Sequence, residues 1–345
     1  MEYVFFLQPL ILSFSIASLL LAGIVVITRR LKIIDKRISA RHVHHFGISR
    51  FGGIALIASF FLATLFDDRL VLTGEFQGIL LACLAILLFG VMDDVFELGW
   101  KWQLLFQISV AVFVYFMGIK LEYISNPFGG IYMFDSGFPY LLGFSFSVLW
   151  IVFLMNAVNW VDGVDGVSGG ITLIAAGTIF MLSLKPEVNQ PPMGIIAAAL
   201  VGALVAFLIY NFYPAKIMAG TSGSMFLGFI LAVLAIFAGA KIATTLMVLA
   251  VPVVDALWVI GERLHLKKSI FSADRRHLHF KLLKLGWSVR KICMFYYALT
   301  LLIAILALNM RALGKVATMT IVAGMLISVM AVLAKRSIRH ANDHE

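Results

Sequence analysis

Acidic and amide side chains gather at four places where apolar runs end. The first is Gly90-Val91-Met92-Asp93-Asp94, followed by Lys101, Gln103 and Gln107. Two adjacent carboxylates repel each other unless a cation or a proton relieves them, so one is suited to hold Mg2+ while the other takes a proton. A solvated turn with a helix cap is the plain alternative. The second place is Asn156-(2)-Asn159-(2)-Asp162-Gly163-(1)-Asp165-Gly166. A spacing of three puts two amides, and two carboxylates, on one face of a helical turn. Hard oxygen ligands suit Mg2+ and pyrophosphate. An EF-hand calcium loop is excluded, because the acid that closes such a loop is missing. A polar turn capped by Asn and Asp is the plain alternative, set against four such groups beside an apolar span.

The third place is Asn211-(2)-Pro214-Ala215 with Gly220-Thr221-Ser222-Gly223-Ser224. A small, hydroxyl-rich turn opening a helix offers N–H groups to an anion. It is not a P-loop, because the Gly-Lys-Ser/Thr ending is absent, and an ordinary capped helix start explains it as well. The fourth is basic: Arg263, His265, Lys267 and Lys268, then Asp274-Arg275-Arg276-His277-Leu278-His279. Cations suit phosphate recognition. His277 and His279 stand at i, i+2 and do not share a helical face, so joint metal binding on a helix is not expected. A basic loop at a membrane surface accounts for most of these cations. Asp255 lies inside an apolar run, where an ionisable residue is functional by default. It is also near enough in sequence to pair with Arg263 and hold the basic loop.

The elements that must position these groups are membrane helices. Of 345 residues, 62% are hydrophobic and 13% charged; mean hydropathy is +1.01. A soluble core of this size cannot hide so much apolar surface. The composition excludes a cytosolic enzyme, a disordered chain and a secreted disulfide scaffold. The two cysteines, Cys83 and Cys293, each sit in an apolar run and read as buried packing residues.

With roughly 20 apolar residues per span, about eleven transmembrane helices are expected, at 4–27, 52–66, 77–91, 102–118, 140–156, 169–184, 192–210, 222–238, 241–261, 292–309 and 314–334. The first lacks a basic leader and is not a cleaved signal peptide. An N-out/C-in orientation puts 21 of the 27 Lys and Arg in the inner segments, leaving Arg69, Lys120, Lys185, Lys241, Arg311 and Lys315 outside. The net charge of +9 is then a topology signal rather than a sign of nucleic-acid binding. The expected fold is an all-α polytopic integral membrane protein, one domain over 1–345, with cytoplasmic catalytic loops. Its longest outer loop, 119–139, has room for a short hairpin.

Taken together and in order, the four groups resemble the polyprenyl-phosphate N-acetylhexosamine-1-phosphate transferases. That family includes bacterial lipid-carrier GlcNAc-1-phosphate transferases and phospho-N-acetylmuramoyl-pentapeptide transferases. The likeness runs from about Asp35 to Gly286. Asp93-Asp94-(3)-Leu98-(2)-Lys101-(5)-Gln107 is similar to the family's aspartate-pair motif, and the Asn156 to Gly166 segment to its second. Asn211-(2)-Pro214-Ala215 with Gly220-(2)-Gly223-Ser224 resembles its third, and His277-Leu278-His279 its histidine motif. His44 through Arg50-Phe51-Gly52-Gly53 resembles its first inner loop. Eleven spans and the Asp274 to His279 form look more like the GlcNAc-1-phosphate branch.

The resemblance implies a reaction. A UDP-N-acetylhexosamine and a polyprenyl phosphate (undecaprenyl phosphate in bacteria) give a polyprenyl-diphospho-sugar and UMP, starting cell-envelope polysaccharide synthesis at the plasma membrane. It implies Mg2+, with Mn2+ as the alternative, and a homodimer. By the likeness, Asp93, Asp94, Asp162, Asp165, His277 and His279 are catalytic. Asp94, Asn156, Asn159, Asp162 and Asp165 hold the metal. His44, Arg50, Lys101, Asn211, Gly220, Thr221, Arg275 and Arg276 bind substrate. One departure matters: the family has a metal-binding aspartate where this chain has Thr221, a weak Mg2+ ligand. Met218 replaces a usual aromatic, and Phe280 stands where a further histidine is usual. The competing expectations are a catalytically impaired family member and a lipid or ion transporter; the second lacks internal repeats and midplane polar breaks.

Overall fold

The computed structural model describes residues 4–31, 48–126, 128–134, 136–237, 242–270 and 275–342. The chain runs α1 (Val4–Arg30), α2 (Gly52–Leu65), α3 (Gly74–Phe96), α4 (Trp100–Phe116), β1 (Tyr123–Ser125), β2 (Ile131–Met133), α5 (Gly137–Val161), α6 (Val167–Ser183) and α7 (Pro191–Asn211). It continues through α8 (Gly220–Phe237), α9 (Ile242–Val248), α10 (Ala250–His265), α11 (Leu278–Lys284), α12 (Val289–Asn309) and α13 (Ala312–Asn342). The only sheet among the described residues is the antiparallel hairpin β1–β2, inside the 119–139 loop where the sequence left room for one.

Each expected apolar segment is helical where it is described, but among the described residues the helices long and apolar enough to cross a bilayer number seven, or eight if one bent pair is a single span. The shortfall from eleven has two causes. Helices α2, α4 and α6 have only 14, 17 and 17 residues. At 1.5 Å per residue α2 is about 21 Å long, short of a hydrocarbon core of about 30 Å. The segment 241–261, expected as one span, breaks at Leu249 into α9 and α10, which meet at 79°. Pro252 in the first turn of α10 has no N–H for the Val248 carbonyl, so one continuous helix would lose a bond there. The molecule is a polytopic helical membrane protein.

Helix α8 is the centre. Every residue from Ser222 to Ile236 is buried, the pattern of a helix apolar all round and enclosed by others. It packs against α5, α3 and α2, while α7 is covered by α1, α6 and α2. Small residues let backbones approach. A Cβ at Gly228 would lie 2.4 Å from the Leu154 carbonyl oxygen of α5, and one at Gly90 of α3 would lie 2.3 Å from Ser222 Cα. Those contacts bring the ends of α3 and α5 and the start of α8 to one end of the bundle.

Candidate active site

Asp93 and Asp94 stand near the C-terminus of α3, which stops where Glu97 takes a left-handed conformation (φ 52°) and returns its N–H to the Asp93 carbonyl. Buried Asp93 accepts a hydrogen bond from Gln103 Nε2 at 2.9 Å. Asp94 faces the other way. It accepts the Thr221 N–H at 2.7 Å, the Ser222 N–H at 3.3 Å and the Ser222 hydroxyl at 3.1 Å. A carboxylate from α3 therefore caps α8, whose own first turn carries no acid. Gly220 makes room by its positive φ (72°): a Cβ there would fall 2.2 Å from the Arg50 carbonyl oxygen and 2.6 Å from Asp94 Oδ2. Arg50 is drawn in by backbone pairing, Met218 N–H to the Ser49 carbonyl at 2.8 Å and Gly52 N–H to the Met218 carbonyl at 3.0 Å.

The end of α5 meets the same place. Asn156 Nδ2 donates to Gln107 Oε1 at 2.6 Å, and Asn159 Nδ2 to Ser224 Oγ of α8 at 2.7 Å. Asp162 accepts the Ser168 hydroxyl. Buried Asp165 accepts the Ala215 N–H at 3.0 Å, and Asn211 Oδ1 accepts the Gly166 N–H at 3.1 Å. From α12, Cys293 Sγ donates to the Asp165 carbonyl at 3.0 Å and Tyr297 Oη to the Gly166 carbonyl at 2.5 Å. Burial pushes the Asp162 carboxyl up to about 7, against its bond from Ser168; the charges of Asp94 and Asp165 add to the rise and Arg50 opposes it. Three carboxylates and one guanidinium thus share one electrostatic neighbourhood.

The histidine motif closes the far side. His277 Nδ1 lies 2.8 Å from Asp255 Oδ2, and the Leu278 N–H donates to Asp255 Oδ1 at 2.8 Å. Asp255 thus meets His277 rather than the Arg263 it was also placed to pair with; buried Arg263 donates to the Ile270 carbonyl and covers the Trp160 ring at 5.7 Å. His277 is the extended residue before α11, not part of it, so the i, i+2 objection to a shared face does not apply. The His277 and His279 rings lie parallel, 5.7 Å apart. His279 is fully buried, and neither ring nitrogen has a hydrogen-bond partner among the described residues. A Cβ on Gly163 would come 2.7 Å from its Nε2. Burial, helped by His277 and opposed by Asp255, pushes His279 down to about 3, so it is neutral at pH 7.

Of the residues expected at the site, Arg50, Asp94, Asn159, Asp162, Asp165, Asn211, Gly220 and Thr221 are linked by contacts or by charge, His279 joins them through Gly163, and Asp93 and Asn156 meet Gln103 and Gln107 instead. Arg275 lies over the Phe280 ring at 6.0 Å, and Arg276 pairs with Glu262 at 2.8 Å. Lys101 is exposed, its ammonium 5.8 Å from the Trp100 ring, and enters none of these contacts. His44 and Asp274 lie outside the described residues. Ser168, Ser222 and the pair Cys293 and Tyr297 complete the network. The α12 pair left no signal in the sequence, since it lies within an apolar run.

Among the described residues no three His, Cys, Asp or Glu side chains meet closely enough to enclose a metal. The donor set still fits Mg2+ in its usual mode, in which one or two carboxylates act together with water and substrate phosphates. Asp162 and Asp165 would be those carboxylates if the ion binds, since both Asp94 oxygens already face α8.

The comparisons agree with the family resemblance. The family model described as Glycosyl transferase family 4 matches residues 76–239. A Mycobacterium leprae protein named decaprenyl-phosphate N-acetylglucosaminephosphotransferase is 30% identical over 86% of this chain and 83% of its own. A phospho-N-acetylmuramoyl-pentapeptide-transferase of Halalkalibacterium halodurans is 31% identical over 88% of this chain and 97% of its own. A Bacillus subtilis protein, named a probable undecaprenyl-phosphate N-acetylglucosaminyl 1-phosphate transferase, is 28% identical over 88% and 85%. With an ordered set of motifs converging at one end of the bundle and full-length relatives of this kind, the chain belongs to glycosyl transferase family 4, the polyprenyl-phosphate N-acetylhexosamine-1-phosphate transferases.

Proposed function

We propose that the protein transfers N-acetylhexosamine 1-phosphate, with GlcNAc as first choice, from a UDP-sugar to a polyprenyl phosphate, releasing UMP and starting a cell-envelope polysaccharide. The observation that carries this reading is the meeting of Asp94, Asp162 and Asp165 with Arg50 at the bundle end where Asp93 and the His277-Leu278-His279 motif also stand. The acceptor phosphate oxygen attacks the β-phosphorus of the UDP-sugar. The bond from that phosphorus to the bridging oxygen breaks, and UMP leaves with the electron pair.

In this reading Asp93 takes the acceptor phosphate's proton, and Gln103 fixes the carboxylate that receives it. Asp94 keeps α8 in position. Asp162 and Asp165 hold Mg2+, which when bound neutralises charge on the phosphates during transfer. Asn159 orients that turn through Ser224. Neutral His279 and Asp255-held His277 face the diphosphate, with Arg50, Arg275 and Arg276 supplying positive charge. The polyprenyl tail stays in the bilayer and brings only its phosphate to the helix ends. The Lys and Arg distribution supports the cytoplasmic side of the plasma membrane for this end.

Purified protein mixed with polyprenyl phosphate, Mg2+ and labelled UDP-GlcNAc tests the reading. It predicts UMP release and a lipid-linked sugar, and Asp93→Asn that folds but does not turn over. No product with any UDP-N-acetylhexosamine overturns it.

A further inference from the structure

The face of α10 that carries Asp255 continues beyond it. Asp255, Trp258 and Glu262 stand at i, i+3 and i+7, so they line one side of that helix. Glu262, which the proposed chemistry does not use, reaches both flanks of the histidine motif from there. Its Oε1 accepts a hydrogen bond from Arg276 Nη1 at 2.8 Å, and its Oε2 lies 3.5 Å from the Lys281 ammonium. That ammonium also stands 5.7 Å from the centre of the Trp258 ring. Arg276 directly precedes His277, and Lys281 follows His279 by two residues. With Asp255 on His277 Nδ1 and on the Leu278 N–H, one stripe of α10 holds the segment at its start, its middle and its end.

The motif needs such a scaffold. Helix α11 has seven residues, too few to be stable on its own. Neither ring nitrogen of His279 has a hydrogen-bond partner among the described residues, so the ring stands where the backbone of α11 puts it. Helix α10 is itself tied to the bundle. Arg263, next to Glu262, donates to the Ile270 carbonyl and covers the ring of Trp160 on α5 at 5.7 Å, and that ring lies 6.1 Å from the His277 ring. Glu262 is partly exposed, and an ion pair in contact with water adds little to global stability. What it fixes is local: the placement of a short helix on a longer one, and the direction of the Arg276 guanidinium.

We propose that Glu262 is a positioning residue for the transfer reaction, acting through Arg276 and Lys281 to hold His277 and His279 in place. This rests on the function proposed above.

Cys83 and Cys293 are buried, so a thiol introduced as Glu262→Cys in the full-length protein is the one that reagents in water reach. Alkylating this variant with iodoacetate restores a carboxylate at the position, whereas iodoacetamide adds the same bulk without the charge. With UDP-GlcNAc, polyprenyl phosphate and Mg2+, the amide form should have a kcat on the order of tenfold below wild type, as expected for a misplaced reacting group. The carboxylate form should recover most of that loss, while the two forms share one thermal midpoint. Equal kcat in the two alkylated forms overturns the proposal, because the charge would then have no role. Wild-type protein assayed alongside separates the two readings: if it makes no product the proposed function fails, and the placement of α11 then decides the role of Glu262. Nitroxides at Leu264→Cys on α10 and Lys284→Cys on α11, both exposed positions, report that placement as a distance distribution by pulsed electron paramagnetic resonance. Glu262→Gln should broaden or shift the distribution. An unchanged distribution overturns the proposal whatever the activity.

Discussion

Asp94 accepts the backbone N–H of Thr221 at 2.7 Å, and through this bond a carboxylate on α3 caps α8. Thr221 contributes its backbone to the cap rather than a charge. Asp94→Ala should lower stability by about 1–2 kcal/mol, the loss expected for a helix N-cap, read as a lower thermal midpoint in detergent. Thr221→Asp should keep the fold and lower the Mg2+ concentration needed for half-maximal rate, because it restores a hard oxygen ligand. An unchanged Mg2+ requirement would mean that Asp162 and Asp165 already hold the ion as well as this chain needs.

Asp255 orients His277 through Nδ1 and fixes the first turn of α11 through the Leu278 N–H. Asp255→Asn keeps the size of the group but loses the charge that selects the ring's tautomer. The rate should fall on the order of 100-fold, the scale of a misplaced catalytic group. The loss should appear in kcat, while the thermal midpoint changes little. An unaltered kcat would remove His277 from the chemistry.

His279 and Asp162 give opposite pH dependences of stability. His279 is held at about 3, below the ordinary histidine value of about 6.5, so its stabilising effect is complete above 6.5 and is lost as pH falls from there toward 3. Asp162 is raised to about 7, so its effect is complete below about 4 and is lost as pH rises through 7. Between pH 4 and 6.5 the two oppose each other. His279→Gln should therefore become more stable as pH falls across that window. Asp162→Asn should lose roughly 1.4 kcal/mol per pH unit there, the slope of one proton. Denaturation midpoints at half-unit pH steps check both signs.

Cys293 and Tyr297, one turn apart on α12, donate to the consecutive carbonyls of Asp165 and Gly166. Tyr297→Phe removes one of these bonds and leaves the ring packed on Gly170. About 1 kcal/mol of stability should be lost, with a clear fall in kcat at unchanged substrate KM. A variant with wild-type kcat would show that α12 braces the fold alone.

What was legible in the sequence follows from the range of each signal. Apolar runs marked every described helix except the short α11 in the basic loop, because hydrocarbon demands a continuous apolar surface. The Asp, Asn and His groups were visible because each is local and costly beside lipid. Run length could not separate a span from the short enclosed α2. It also concealed the bend at Leu249, although Pro252 was in plain view. Partners set by tertiary packing had no local sign: Asp94 with Thr221, Asp255 with His277, and α12 with the Asp165 turn.

The most direct measurement uses UDP-GlcNAc labelled with 32P at the β-phosphate and with 14C in the sugar. If the acceptor phosphate attacks the β-phosphorus beside Asp93, 32P and 14C enter the polyprenyl lipid in equal amounts and uridine is recovered as UMP. Lipid carrying 14C without 32P, with uridine recovered as UDP, would contradict the account.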